Sequence, residues 1–421
     1  MPLPFPTNPA LKDLPVYQPG RPIEEVAREL GLPADTIIKL ASNENPLGPS
    51  RLALAALRKA LAQTNLYPDG NAYYLKQKLA NTLGVTPANL VLGNGSNELI
   101  EFLGHALLQG PACSIQRPVS SIPGGELTDP PTHPLTLPSP SIHQSTNPSI
   151  PCPSPLAPPE VLVSQYCFAV YPIVTALFGA KLVVVQARNY GHDLDAMLAA
   201  ITPATRIVFV ANPNNPTGTS VSRKALARFA DAVPESVVLA LDEAYIQFLE
   251  EPLDLLPEIR SGRKPNLLVM RTFSKIYGLA GLRLGYGIGH PDFIAELEKV
   301  RQPFNLNSLA QAAALAALDD TAHAEKTRRN NARGLRLYAR AFRKLGLEFI
   351  PSSANFILVR VGDGQRVFNE MQKLGIIVRP LAGYQLPEWI RISIGTPKQN
   401  ARCLAALNLV LAPSSQLSTK N

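Results

Sequence analysis

The sequence predicts an α/β protein with a mostly parallel sheet covered by helices on both faces, followed by a smaller α+β domain. Short apolar runs alternate with helical stretches up to about residue 270, which is the pattern of parallel strands joined by crossover helices. From Pro291 onward the pattern changes to long helices that extend to about Leu345, and a shorter mixed region follows. A chain of 421 residues, 46% of them hydrophobic, is large enough for two or three domains.

The N-terminal part of the large domain is predicted to begin with helices. Helical periodicity covers Ser50 to Ala62 and Tyr73 to Leu83. A strand-like run, Leu90 to Leu92, then leads to Asn94-Gly95-Ser96-Asn97, which we expect to cap a third helix from Glu98 to Leu108.

The strands and helices that follow are predicted from runs of apolar residues. Strands are expected at Glu160–Val163, Lys181–Val185, Arg206–Val210, Val237–Leu241 and Leu267–Met270. Helices are expected at Phe168–Leu177, Leu194–Ile201 and Ser222–Ala232. The mixed region near the C-terminus predicts strands at Asn355–Arg360, Ile376–Arg379 and Ile390–Ser393, and a last helix from Pro397. We therefore expect an N-terminal segment (1–50) that packs with the small domain, a large domain (51–290) and a small domain (291–421).

Composition excludes several classes of protein. The apolar share is too high and the charged share, 17%, too low for a chain disordered throughout. No apolar run reaches membrane-spanning length, and the N-terminus lacks the pattern of a secretory signal, so we expect a cytoplasmic protein. The net charge of +8 comes from scattered Lys and Arg residues, which indicate a solvated surface rather than a nucleic-acid partner and would equally suit an anionic small substrate. The four cysteines have neither metal-ligand nor disulfide-framework spacing.

One segment, Cys113 to Pro159, differs from the rest of the chain. It holds 13 of the 41 prolines and 8 serines, with no aromatic residue and no periodicity. Such a composition cannot build a core. We interpret the segment as a disordered insertion in the large domain, without a function of its own; an interaction loop is the alternative.

Chemically informative residues follow the predicted strands, where ligands sit in parallel sheets. Asp242 ends an almost wholly apolar strand, and a carboxylate there requires a cationic partner. Lys275 precedes a glycine-rich turn, where a desolvated amine can attack a carbonyl. Thr272, Ser274 and Arg283 lie close to it in sequence, and hydroxyl and guanidinium groups together suit a phosphate.

Two further sequence motifs supply groups that a ligand at the same site would contact. GNGSNE, residues 93–98, places glycines before a helix N-terminus, which makes an anion site. ANPNNPTG, residues 211–218, forms a rigid turn that presents Asn215. The four groups together fit a phosphate, a carbonyl, a basic ring nitrogen and an adjacent oxygen that Asn215 and Tyr245 could hold. Pyridoxal 5′-phosphate has these features.

The motifs resemble those of fold-type I, pyridoxal-phosphate-dependent aminotransferases, and most closely the histidinol-phosphate aminotransferases. The matching strings are KLASNENPLGPS, YPDGNAYYLKQKLA, GNGSNELIE, VSQYCFAVYP, ANPNNPTG, LDEAY and RTFSKIYGLAGLRLGYG. The likeness runs from about Val16 to Leu411, except for Cys113 to Pro159.

The resemblance implies a role for each matching residue. Lys275 would bind the cofactor covalently and move a proton, Asp242 would keep the ring nitrogen protonated, and Tyr245 would hold the ring oxygen with Asn215. The implied cofactor contacts are Ser96, Asn97, Phe168, Thr272, Ser274, Arg283 and, from a second subunit, Tyr67. Arg391 would bind the substrate carboxylate and Arg379 the substrate phosphate, with Tyr17 and Asn355 lining the pocket.

These roles imply a homodimeric enzyme that exchanges an amino group between glutamate and imidazole acetol phosphate, yielding 2-oxoglutarate and histidinol phosphate. Three alternatives stay open from the sequence. They are a related aminotransferase for aromatic or other amino acids, a phosphothreonine decarboxylase of the same fold, and a catalytically inactive binding protein. Arg379 argues against the aromatic aminotransferase but not against the decarboxylase.

Overall fold

The structure is a computed structural model that describes Leu11, Leu14 and residues 20–108 and 157–412. Within these residues the helices are α1 (Ile23–Leu30), α2 (Arg51–Ala60), α3 (Tyr73–Leu83), α4 (Gly95–Leu107), α5 (Val170–Leu177), α6 (Leu194–Ala199), α7 (Arg223–Ala232), α8 (Leu256–Arg260), α9 (Pro291–Val300), α10 (Ser308–Asp319), α11 (Thr321–Lys344), α12 (Gly364–Lys373) and α13 (Pro397–Leu411). The strands are β1 (Ile38–Lys39), β2 (Leu90–Gly93), β3 (Glu160–Ser164), β4 (Lys181–Val185), β5 (Thr205–Ala211), β6 (Val238–Asp242), β7 (Leu267–Thr272), β8 (Gly285–Ile288), β9 (Phe349–Ile350), β10 (Phe356–Arg360), β11 (Ile376–Ile377), β12 (Arg379–Leu381) and β13 (Leu386–Ser393).

The central sheet has seven strands in the order β2-β8-β7-β6-β5-β3-β4. Strands β4, β3, β5, β6 and β7 run parallel, and β8 is antiparallel to both of its neighbours. The predicted α/β fold is therefore confirmed.

Both faces of this sheet are buried. Alternate residues of β6 enter different cores: Leu239 and Leu241 join one cluster, and Val238 and Ala240 join the other. Helices α2, α3, α7 and α10 cover the first face, and α4, α5 and α9 cover the second. Strands buried on both sides read as continuous apolar runs, which explains why their positions could be predicted closely.

Strand β8 was not predicted, and close packing against α4 explains why. A Cβ atom at Gly285 would lie 2.6 Å from the backbone carbon of Gly95, and one at Gly287 would lie 3.0 Å from Val91. Glycine is therefore required in a strand interior, and the resulting composition conceals the strand.

The smaller sheet is antiparallel, in the order β12-β13-β10-β9. Helices α12 and α13 and the C-terminal half of α11 pack on it. From residue 20 onward the N-terminal segment packs with this layer, because β1 pairs in parallel with β11 and Val26 of α1 is buried in the same core.

The expected domain boundary at residue 291 needs correction. Ile294 and Leu297 of α9 and Ala313 of α10 are buried against the central sheet. The change from strands to long helices was interpreted as a change of domain, but helix length does not show on which sheet a helix packs. The contacts move the proposed boundary to about the start of α11.

The first turn of α4 also differs from the prediction. The helix begins at Gly95, three residues before the predicted Glu98, and no side chain caps it at Asn94. Instead the Glu98 carboxylate accepts a hydrogen bond from the backbone N–H of Asn94 at 2.7 Å. Ser96 and Asn97 therefore lie within the first turn, where backbone N–H groups have no partner inside the helix.

Candidate active site

A cavity of about 380 Å³ lies where three parallel strands of the central sheet end. β5 ends at Ala211, β6 at Asp242 and β7 at Thr272, and these strands are direct neighbours. The lining consists of Ser42, Glu44, Gly95, Ser96, Asn97, Phe168, Ala211, Pro213, Asn215, Asp242, Ala244, Tyr245, Thr272, Ser274, Lys275, Ala280, Gly281 and Arg283. The structure thus brings together ten residues that the sequence analysis singled out, from segments up to 187 positions apart (Ser96 to Arg283).

One end of the cavity is built for an anion. A Cβ atom at Gly95 would lie only 2.6 Å from Nη2 of Arg283, so the guanidinium group rests against the start of α4. Thr272 and Ser274 are buried beside it, and their hydroxyl groups are 3.0 Å apart. Helix N–H groups, hydroxyls and a guanidinium group converge here, and this combination binds phosphate.

The Asp242 carboxylate forms the opposite polar feature of the cavity. Its Oδ2 accepts a hydrogen bond from the Tyr171 hydroxyl at 2.7 Å, and its Oδ1 accepts one from the Ala244 N–H at 3.0 Å. Burial raises the pKa of Asp242, while these two hydrogen bonds oppose the shift. A buried carboxylate at the ligand face favours a cationic group opposite it.

Lys275 places a buried amine in the cavity. Burial lowers the pKa of its amine to about 8, and the nearby positive charge of Arg391 acts in the same direction. Its Nζ lies 5.4 Å from the centre of the Tyr245 ring. An amine that is neutral in a substantial fraction near pH 8 can attack a carbonyl, which an ordinary lysine does poorly.

The third side of the site joins the two sheets. Arg391 of β13 is buried and donates hydrogen bonds to Oδ1 of Asn215 at 2.5 Å and to the backbone oxygen of Ala41 at 2.9 Å. Because Arg391 occupies Oδ1, the amide nitrogen of Asn215 is the group that can donate to a ligand. Tyr245 is buried, and its hydroxyl accepts a hydrogen bond from Nδ2 of Asn43 at 2.9 Å.

Of the other predicted residues, Phe168 lies in the cavity lining, whereas Arg379 and Tyr67 lie outside it. Phe168 lines the cavity and meets Tyr171 edge to face. Arg379 lies directly opposite Arg391 on the neighbouring strand. Tyr67 is 84% exposed, stacks on Phe304 and is absent from the lining of its own chain's cavity.

Neither of the two residues predicted to line the substrate pocket is found in the cavity lining, and the prediction for Tyr17 stays untested. Asn355 is buried outside the cavity, where its amide donates to the backbone oxygen of Asn43 at 2.9 Å, so it supports the site from behind. Tyr17 lies outside the described residues.

Sequence reasoning missed Tyr171, Asn43 and Glu44. Tyr171 stacks flat on Phe209 with ring centres 4.3 Å apart and contacts Asp242. It belongs to the string VSQYCFAVYP, which carried the family resemblance but gave this tyrosine no role. Asn43 and Glu44 belong to the string KLASNENPLGPS, which carried the family resemblance but no assigned role.

The Pro/Ser-rich segment also lies outside the described residues except for residues 157–159, and the described chain stops before it at residue 108 and resumes at residue 157. Near the end of α4, His105 packs against Phe178 with ring centres 4.7 Å apart, just before β4 begins. β3 begins at Glu160, which pairs with Lys181 and Thr205 at the starts of β4 and β5. The described residues that flank the segment therefore lie at the sheet edge opposite the cavity.

Fold and site together define a fold-type I enzyme, and comparison with known proteins gives its family. The model of the family "Aminotransferase class I and II" matches residues 156–407, and the chain belongs to this family. Among curated proteins it is similar to histidinol-phosphate aminotransferase of Akkermansia muciniphila, at 47% identity over 405 residues, covering 96% of this chain and 98% of the relative. It is also 47% identical to histidinol-phosphate aminotransferase 2 of Ralstonia nicotianae, covering 94% of each chain.

A solved structure is similar over the whole fold. The crystal structure of histidinol-phosphate aminotransferase from Sinorhizobium meliloti in complex with pyridoxal-5′-phosphate has a TM-score of 0.78 and 27% identity, covering 98% of each chain. The predicted resemblance and the assignment as an enzyme are confirmed.

Proposed function

We propose that the protein binds pyridoxal 5′-phosphate in this cavity and exchanges an amino group between glutamate and imidazole acetol phosphate. The products are 2-oxoglutarate and histidinol phosphate. The observation that carries the proposal is the placement of Lys275, Asp242 and the anion site of α4 and Arg283 around one cavity of about 380 Å³. The curated relatives named above support the choice of substrate.

The residues present fit the cofactor. The start of α4, Ser274 and Arg283 would hold its phosphate, since they form the anion end of the cavity. Asp242 would hold its ring nitrogen in the protonated state, because a buried carboxylate is stabilised by a cation beside it. When bound, the cofactor supplies an electron-accepting ring that stabilises negative charge at the substrate Cα.

The protein's own residues then perform the proton transfer and hold the substrate. Lys275, with its pKa of about 8, removes the proton from the substrate Cα once its amine is released and returns a proton during exchange. Arg391 orients glutamate through its α-carboxylate, and Arg379 lies on the neighbouring strand, where it can bind the phosphate of the other substrate, imidazole acetol phosphate. Phe168 would pack on the face of the ring.

The active unit is proposed to be a homodimer, because Tyr67 is too exposed to serve its own cavity. The family resemblance implies that this tyrosine contacts the cofactor phosphate bound by the second subunit. A cytoplasmic location stays a prediction from the sequence. In the described part of the chain, no helix combines the length and apolar character needed to cross a membrane.

A substrate panel tests the proposal. The purified holoenzyme is given 2-oxoglutarate with histidinol phosphate, phenylalanine, aspartate or phosphothreonine, and glutamate formation and carbon dioxide release are measured. We expect glutamate with histidinol phosphate as the preferred donor, and no reaction in Lys275→Ala. Release of carbon dioxide from phosphothreonine would move the assignment to the decarboxylase. Absence of a visible absorption change when glutamate is added would indicate a binding protein.

A further inference from the structure

Asn43 occupies an unusual position between the two sheets. Its backbone φ is +56°, a left-handed conformation that non-glycine residues seldom adopt, and it is only 1% exposed. It lies in the segment between β1 and α2, four residues after Lys39. Asparagine is tolerated in this conformation better than most residues, but burying it requires partners for all of its polar groups.

Every polar group of Asn43 has such a partner. Its N–H donates to Oγ of Ser393 at 2.8 Å, and its backbone oxygen accepts from Nδ2 of Asn355 at 2.9 Å. Its side-chain Oδ1 accepts from Oγ of Ser393 at 3.1 Å, and its Nδ2 donates to the Tyr245 hydroxyl at 2.9 Å. Three of these four hydrogen bonds join Asn43 to Ser393 of β13 or to Asn355, which directly precedes β10. The fourth joins it to Tyr245, which lines the cavity.

The network defines the direction of the bond to Tyr245. The hydroxyl of Ser393 accepts the N–H of Asn43, so its single proton needs an acceptor, and Oδ1 of Asn43 is the one to which it donates. The amide nitrogen of Asn43 therefore faces Tyr245. Because Tyr245 accepts this bond, its own proton remains available for a ligand in the cavity that it lines.

We propose that Asn43 is a positioning residue that makes the Tyr245 hydroxyl a hydrogen-bond donor toward the cavity and links it to strand β13, which carries Arg391. Ser393 and Arg391 lie on the same strand, and Arg391 bonds to Ala41, two residues before Asn43. Displacement of β13 would therefore act on Tyr245 through Asn43. Engagement of the substrate carboxylate by Arg391 and the hydrogen bond to the ring oxygen of the cofactor are thus mechanically connected.

The inference rests on the proposed cofactor and not on the substrate. A donor to the ring oxygen stabilises the form of the cofactor group on Lys275 that has lost its proton. Without the bond from Asn43, the Tyr245 hydroxyl is neither held in its orientation nor polarised by that donor, so it donates to the ring oxygen less well, and the titration of the visible absorption band should move to higher pH. One hydrogen bond of ordinary strength corresponds to a shift of about 0.5 to 1 pH unit.

Glycine is the informative replacement, because it keeps the left-handed backbone and both backbone hydrogen bonds while it removes the side chain. We expect Asn43→Gly to raise the pH midpoint of the band by about 0.5 to 1 unit and to weaken cofactor binding to the apoprotein, measured by equilibrium dialysis, about three- to tenfold. Asn43→Asp keeps the size but replaces the donor by an acceptor, so it should shift the band in the same direction. The control is Gln385→Gly, an exposed left-handed position in the small domain, which should leave both quantities unchanged.

A double-mutant comparison identifies the route of the effect. If Asn43 acts through Tyr245, Asn43→Gly should shift the band by less than about 0.2 unit when Tyr245→Phe is already present. An equal shift in both backgrounds, or an unchanged midpoint in Asn43→Gly and Asn43→Asp, would overturn the inference. Failure of the parent protein to bind the cofactor at all would instead refute the proposed function.

Discussion

Arg379 and Arg391 face each other directly across the antiparallel strands β12 and β13. Side chains at opposed positions share one face of a sheet, with Cβ atoms about 4.5–5.5 Å apart. Arg391 bonds to Asn215 in the cavity wall, so the pair lies beside the proposed cofactor site. Two neighbouring guanidinium groups suit an enzyme whose substrates carry different anionic groups, because glutamate has an α-carboxylate and imidazole acetol phosphate has a phosphate.

Replacing Arg379 by Leu should weaken histidinol phosphate far more than glutamate. Loss of a charge-assisted hydrogen bond costs roughly 1.5–3 kcal/mol, or about ten- to more than a hundredfold in kcat/KM. Arg391→Leu is the matched control and should impair glutamate more than histidinol phosphate, because Arg391 is assigned to the α-carboxylate, which histidinol phosphate lacks. Steady-state kinetics with each substrate separate the two arginines. Equal losses in Arg379→Leu would remove the assignment of the phosphate to this residue.

Replacing Lys275 by Ala should abolish transamination while the fold is retained. Among the described residues, Lys275 is the lysine that lines the cavity, and its amine is the group expected to bind the cofactor covalently. Borohydride reduction of the holoenzyme followed by peptide mapping should place the label on Lys275. A label on another lysine would contradict the assignment.

Covalent attachment of the cofactor should follow the ionisation of Lys275. Only the neutral amine attacks a carbonyl, and the cavity lowers the pKa of Lys275 from 10.5 to about 8. The attachment rate of apoprotein should therefore rise with pH up to about 8 and level off above it. Stopped-flow absorbance measures this rate. Binding of pyridoxamine 5′-phosphate, which has no carbonyl, is the control and should lack this pH dependence.

A mixing experiment tests whether Tyr67 acts in the second subunit. Tyr67→Ala and Lys275→Ala should each be nearly inactive alone. In randomly mixed symmetric dimers, about a quarter of all sites would contain both native residues, so about that share of the activity should return. Gel filtration confirms the dimer in each preparation. Activity that stays at the level of the separate variants would show that both residues act within one chain.

Deleting Ser114 to Pro158 should leave the enzyme active. The described residues that flank this segment lie at the sheet edge opposite the cavity, near Phe178 and Glu160. Shortening a flexible connection about tenfold relieves on the order of 2 kcal/mol of closure entropy. The deletion protein should bind the cofactor, turn over substrate at a rate close to the parent's, and unfold at an equal or higher temperature. A folded deletion protein with much lower activity would refute this geometry.

The sequence by itself determined the layers of the fold, the carboxyl ends of the strands and most residues at the cavity. Strands that are buried on both faces of the sheet consist of apolar runs. Asp242, Asn215 and Lys275 follow such runs, in motifs that also carry the family resemblance. These features are local, so each can be recognised within a few residues of chain. The same holds for the anion site, because a glycine turn and the first turn of α4 are adjacent in sequence.

The tertiary structure alone decided how distant segments complete the site. Asn43 forms hydrogen bonds with Ser393, 350 positions away in the sequence, and with Tyr245, 202 positions away. The periodicity of the sequence does not indicate contacts between such distant residues. Tyr171 became a partner of Asp242 only because α5 packs beside β6, and α9 and α10 joined the large domain because of the face they cover. Hydrogen bonds and packing between segments depend on the spatial arrangement of whole elements, which local sequence does not encode.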